Sequence, residues 1–261
     1  VVLILVLVLG CARAEPAPST LPASPDPVLG SGPVSDIPAD WKGRLPVGIG
    51  LGEVALDPEL PGLADRLHVL GFSAEGDLAI LVEPADEAVG GYLWRFEVRD
   101  LRSDKVVESL GWTPQDLSLI SDLASLLQAH GADFQAAMQR HGIRAQDDLK
   151  VLSTAFSVDE QTYEVAFQPT AAPKDQAMAR SARVVLSSPG LGSKVLGTVS
   201  WSEQGACCGQ PRAVVVLSPL EPRAAVIVGA WNRGWEGPPP TLHESVLGAH
   251  LGERFTAPGS P

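Results

Sequence analysis

Apolar residues recur along this chain mainly with the period of extended strands. The clearest stretch runs from His68 to Glu83. Val69, Leu70 and Phe72 form a short apolar run, Ser73-Ala74-Glu75-Gly76-Asp77 interrupts it, and Leu78, Ile80 and Val82 then alternate with Ala79, Leu81 and Glu83. This pattern predicts a β-hairpin with a largely buried second strand. Gly76 can take φ > 0 without a Cβ clash, and the Ser73 side chain can bond nearby backbone. After Gly90-Gly91, Tyr92, Trp94, Phe96 and Val98 alternate with Leu93, Arg95, Glu97 and Arg99. That predicts a strand with one wet face.

Looser strand pairs follow. Phe156-Ser157 precedes Thr162–Gln168, and Leu217-Ser218 separates Arg212–Leu217 from Arg223–Trp231. Further strands are expected near Ala182–Ser187, Lys194–Trp201 and Ser245–Leu251. Val47–Gly52 lacks the Lys-Ser/Thr of a P-loop and a following helix, so it reads as a short irregular strand.

Helical period appears in one place. Leu117, Ile120, Leu123, Ala124 and Leu127 make an apolar stripe behind a Thr113-Pro114 start, with Gly131 as its end. A second helix, Ala132 to His141, buries Phe134, Ala137 and Met138 and closes at Gly142. The predicted fold is therefore mainly β (a β-rich α+β chain), with antiparallel blade-like or sandwich sheets and one helical-hairpin insertion at 114–142.

The N-terminus is different in kind. Val1–Leu9 is wholly apolar and too short to span a bilayer, which needs about 20 residues. It reads as a signal-peptide h-region, residues 1–10. No Met and no positive n-region precede it, so the start is internal or a non-Met codon. Glu15 to Asp40 holds seven Pro among Ser, Ala and Gly. It reads as an extended tether, so 11–40 precede a single domain at 41–255 with a disordered tail at 256–261.

Composition narrows the partners. The 261 residues carry a formal charge of −12 and no basic stripe, which disfavours nucleic acid. Gly (26) and Pro (23) are abundant, as turn-rich folds require.

Val8-Leu9-Gly10-Cys11 resembles the lipobox of bacterial lipoproteins. The resemblance implies that Cys11 becomes the first mature residue and carries acyl chains, several of which hold a domain firmly where one would not. Ala12 rather than Asp behind it implies outer-membrane residence in a Gram-negative cell. The competing reading is cleavage after Ala12-Arg13-Ala14, which discards Cys11 and leaves a soluble periplasmic or secreted protein. The Gly10-Cys11 junction and the tether behind it favour the lipid site.

Gly71-Phe-Ser-Ala-Glu-Gly76 and Phe96-Glu-Val-Arg-Asp-Leu101 resemble the blade motif of TolB-type β-propellers, where a Phe-Ser-Pro-Asp-Gly turn joins two strands. They are also similar to a bacterial family of predicted secreted proteins of unknown function. Ala74 and Glu75 replace the motif's Pro and Asp, and three such units fall short of the usual four or more blades. The resemblance implies a β-rich envelope domain and brings no catalytic residue.

Candidate chemistry is sparse. Ser73 is not in Gly-x-Ser-x-Gly and no helix follows it, so it reads as a turn residue rather than a nucleophile. The five His show no metal-ligand spacing, and no cofactor motif appears. His130 and His141 each stand beside a Gly at a predicted helix end, where positive charge is favoured. Cys207 and Cys208 are candidates for a strained vicinal disulfide, for buried thiols, or for bonds to another chain. Trp231, Arg233, Trp235 and Glu236 lie in a Gly/Pro-rich stretch. Exposed, they would suit a protein or glycan partner; folded inward, Trp231 would serve the core. The expected function is an envelope lipoprotein with a non-catalytic binding or scaffolding domain. The alternatives are an envelope hydrolase or a redox-responsive protein acting through Cys207 and Cys208.

Overall fold

The structure, a computed structural model, describes residues 48–49, 63–83, 94–112, 123–146, 149–170, 179–202, 210–234 and 237–257. All lie within the compact unit Val34–Pro261. Cys11, the tether and Cys207-Cys208 fall outside the described residues, as do Trp235 and Glu236.

The described strands form three sheets and the chain is mainly β, as the alternation predicts. The first sheet is an up-and-down meander of β3 (Arg66–Phe72), β4 (Asp77–Glu83), β5 (Arg95–Asp100) and β6 (Lys105–Gly111). β1 (Gly48–Ile49) and β7 (Arg144–Ala145) both pair with β3. A second meander joins β9 (Ala155–Val158), β10 (Gln161–Pro169), β11 (Ala179–Ser188) and β12 (Gly192–Ser202). The third sheet runs β2 (Leu63–Ala64), β15 (Gly237–His250), β14 (Arg223–Gly234), β13 (Arg212–Leu217) and β8 (Val151–Leu152). Its β2–β15 pairing is parallel; its other pairings are antiparallel.

The third sheet lies between the other two, and β14 shows why. Ala225, Ile227 and Trp231 pack with Leu67, Val69, Phe72, Leu78, Ile80 and Val82 of the first sheet. The alternate residues Ala224, Val226, Val228 and Ala230 pack with Phe156, Tyr163, Val184, Leu186 and Trp201 of the second. A strand covered on both sides has no polar face to keep, so Ala224–Trp231 reads as one apolar run. Each large aliphatic side chain buried this way contributes about 1.5–3 kcal/mol.

The opposite face of the first sheet receives the helix α1 (Leu123–Arg140). Leu126, Leu127, Phe134, Ala137 and Met138 face Leu70, Leu81, Phe96 and Val98. The Phe96 and Phe134 rings stack with centroids 5.0 Å apart. The predicted break at Gly131 does not occur: one helix passes through it. Gly131 lies on the buried stripe between Leu127 and Phe134, where docking offsets its cost of about 1 kcal/mol in helix propensity. The helical hairpin is therefore corrected to one helix among the described residues, and His130 sits within it rather than at an end. Residues 113–122, where the first helix was expected to start, are outside the described set. The predicted close at Gly142 is present. Gly142 has φ 61, Gly142 N–H bonds Gln139 O at 3.1 Å, and Ile143 N–H bonds Met138 O at 2.9 Å. This is a Schellman ending with buried Ile143 and Met138 side by side.

The organising hairpin forms as expected. Ser73 Oγ accepts the Asp77 N–H at 2.9 Å, Ser73 N–H reaches Asp77 O at 2.9 Å, and Gly76 has φ 93. An irregularity between Val69 and Gly71 puts Val69 and Phe72 on one face and Leu70 on the other. At Leu217-Ser218 the serine again holds the turn, its Oγ accepting Leu220 N–H at 3.2 Å. Ser157 instead lies exposed within β9, and Asp159 (φ 47) and Glu160 (φ 67) make the reversal, the two-residue turn that suits right-twisted strands.

The predicted wet face of β5 needs correction. Glu97, in the middle of this face, is buried between Arg95, which stays exposed, and Arg99, whose Nε donates to it at 2.8 Å.

Candidate functional site

All three sheets meet at one polar junction, built first from the β5–β6 turn. Asp100 organises that turn by accepting Arg102 N–H at 2.9 Å, Arg102 Nε–H at 2.8 Å and the Ser103 hydroxyl at 2.9 Å. These bonds hold the Asp100 carboxyl below the usual aspartate range, against the effect of burial. Leu101 N–H bonds Gly76 O at 2.9 Å, which ties this turn to the organising hairpin. Asp104, at φ 58, reaches across to β15 and accepts the Gly248 N–H at 2.5 Å. Burial raises the Asp104 carboxyl above its ordinary range, opposed by the Gly248 N–H and Arg99.

The second sheet contributes Lys194, near the start of β12. The segment after β15 folds back over it: Thr256 N–H bonds Ser193 O at 2.8 Å, and Ser193 N–H bonds Thr256 O at 3.1 Å. Thr256 therefore belongs to the domain rather than to a tail beyond it. Tyr163 donates its hydroxyl to Leu251 O at 2.9 Å. Lys194 Nζ donates to His250 O and to Glu253 O, the latter at 2.9 Å, and stands 4.4 Å from the centre of the Phe255 ring. Burial, with repulsion from Arg223 and Arg254, brings the Lys194 ammonium down to about 8 against the attraction of Glu253.

The central sheet supplies Arg223, the first residue of β14. It is 8% exposed; its Nε donates to Glu221 at 3.0 Å and its Nη1 to Leu101 O at 3.5 Å. Together these groups line a cavity of 320 Å³ with Arg102, Asp104, Lys194, Arg223, His250, Glu253 and Arg254 on its walls. Four cations and two carboxylates line it; Asp100 and Glu221 pair with Arg102 and Arg223, which leaves Lys194 and Arg254 as its cations without an ion-pair partner among the described residues. Such a site can hold an anionic group; its amine is also closer to its neutral form than an ordinary lysine.

Two other hollows are less charged. One of 510 Å³ is lined by Thr162, Ser187, Ser188 and Ser193 beside Thr256. Another of 410 Å³ lies between β6 and the helix, against Trp112, Asp133 and Arg140. Among the described residues no group of three or more His, Cys, Asp or Glu could hold a metal ion.

The residues singled out from sequence lie elsewhere. Ser73 is fully buried with its hydroxyl engaged in the turn. Trp231 is 4% exposed within the core shared by the first and central sheets, so it offers no ring to a partner. The described part of its expected loop is strand: Trp231 to Gly234 belong to β14 and 237–240 to β15, with Gly234 paired to Gly237. Arg233 lies on that strand; Trp235 and Glu236, between the two strands, are outside the described residues, as are Cys11, Cys207 and Cys208. His141 meets carboxylates on both sides, Glu108 at 2.9 Å and Asp77 at 3.6 Å. Sequence reasoning missed Lys194, Arg223, Arg254 and Asp104. The only local signal was Arg223, a cation directly before a run of apolar residues.

No protein-family model, curated protein or solved structure matches this chain. No helix among the described residues is long and apolar enough to cross a membrane.

Proposed function

We propose that this chain is a bacterial envelope lipoprotein, anchored through Cys11, whose β-domain is a non-catalytic binding domain with its ligand site at the three-sheet junction. The observation that carries the binding reading is the convergence of Arg102, Lys194, Arg223 and Arg254 on one cavity from separate parts of the chain. Arg102 and Arg223 are balanced by Asp100 and Glu221, but Lys194 and Arg254 stand there without an ion-pair partner among the described residues, and such charge is free to meet a ligand. The hydroxyl of Ser73 supports the same reading, since it is engaged with backbone rather than offered to a substrate. The anchor rests on the Gly10-Cys11 junction and the Pro-rich stretch behind it. Kinship with propeller blades is part of the proposal. It is supported by the two meanders and by the serine turns of β3–β4 and β13–β14.

Two measurements test it. The mass of the mature chain from its native host is expected to show diacylglycerol on Cys11; a chain beginning at Glu15 defeats the anchor. Thermal shifts of the purified domain across a panel of charged and neutral small molecules are expected to show ligand-dependent stabilisation. A panel without any shift defeats the binding reading.

A further inference from the structure

We infer that the junction cavity binds a small ligand through an oxyanion group of the phosphate or sulfate type, held by Lys194, Arg223 and Arg254. This rests on the binding reading above and names its ligand class. Three independent features carry it. The first is donor capacity. Arg254 is exposed and has no ion-pair partner among the described residues. Lys194 donates to two carbonyls and keeps a third N–H. Arg223 uses Nε and Nη1 on Glu221 and Leu101 and keeps Nη2. Planar guanidinium forks match tetrahedral oxyanions by paired bonds, and an ammonium adds a point charge.

The second feature is backbone strain. Asp104 (φ 58) and Arg254 (φ 62) both line this cavity in left-handed conformation. Aspartate visits that region readily, but arginine does not, and such strain concentrates at ligand sites. The third is how the carboxylates are used. Asp104 accepts the Gly248 N–H and Glu253 lies 3.6 Å from His250, so neither is ion-paired with Arg254. The cavity, 320 Å³, falls at the small end of the range for small-molecule sites, roughly 300–1,000 Å³.

The experiment uses the full chain and inorganic sulfate, which stays dianionic throughout, with chloride matched for ionic strength. Calorimetric titration at pH 7 is expected to show one saturable site. Arg254→Ala should weaken it at least fivefold while leaving thermal stability unchanged, because the side chain is exposed. Arg183→Ala, on the exposed face of β11 away from the cavity, should leave affinity unchanged. Affinity should fall between pH 7 and 9 as Lys194, which faces Arg102, Arg223, Arg254, His250, Asp104 and Glu253, loses its proton. Absence of saturable binding, equal losses in both variants, or a flat profile over that interval would each overturn the inference. Sedimentation with phosphatidylglycerol vesicles, using chain without the lipid anchor, assigns the source of the group. Binding lost in Arg254→Ala points to a lipid headgroup, whereas sulfate binding without vesicle binding points to a soluble ligand. If neutral ligands shift the melting temperature and sulfate does not bind, the oxyanion inference fails while the binding reading survives.

Discussion

Leu101 and Gly248 meet backbone to backbone: a β-carbon at residue 248 would lie 1.8 Å from the Leu101 carbonyl oxygen. The first and central sheets are thus clamped where the candidate site forms. Gly248→Ala is expected to destabilise the domain by about 1–3 kcal/mol, since backbone rather than a flexible side chain must move. Gly111→Ala, on β6, meets nothing within 4 Å and should be close to neutral. Urea midpoints of the two variants check the contrast.

Ser73→Ala removes the acceptor for the Asp77 N–H inside a fully buried turn. The expected loss is about 1–3 kcal/mol. Ser157→Ala, at an exposed strand position, should stay within about 0.5 kcal/mol of the parent chain. Comparable losses from both serines would show that the two turns are held alike.

Trp231 fills the core between the first and central sheets. Trp231→Ala is expected to cost about 3–5 kcal/mol and Trp231→Phe distinctly less. Fluorescence of the parent chain should also show poor access of a soluble quencher to this ring. Unchanged stability in the alanine variant would return Trp231 to the surface.

The pH dependence of stability has a definite sign. Lys194 titrates at about 8 in the folded protein, below its ordinary 10.5. Between those values the unfolded chain holds more protons, so this group makes stability rise with pH across the window. Below about 8 the penalty of keeping its charge in the cavity is fully present. Tyr163, raised by burial, opposes this above pH 10. Urea unfolding from pH 7.5 to 10 should therefore lose an upward component in Lys194→Met.

Much of the scaffold could be read from side-chain alternation. Val69 to Val82 declared its hairpin because apolar runs flanked a serine, an acid and a glycine. Arg223–Trp231 declared a strand, though not that both its faces would be covered. The helix misled because Gly131 looks like an end from its own neighbourhood, and only the sheet beneath it removes the need to stop. Glu97 looked solvated because its two arginine partners are ordinary surface residues when taken singly. The junction was invisible for the same reason. Asp104, Lys194, Arg223 and Arg254 lie far apart in sequence, and none sits in a motif; their nearness is created by three sheets arriving at one place.

The parallel pairing of Leu63 with Thr241 and of Ala64 with Leu242 joins segments that leave the ribosome far apart in time. Both outer meanders are synthesised before β14 and β15, although each rests its greasy side on them. A nascent chain halted ahead of residue 223 would therefore expose two naked apolar walls. Only when the last strands slide between those walls are both covered.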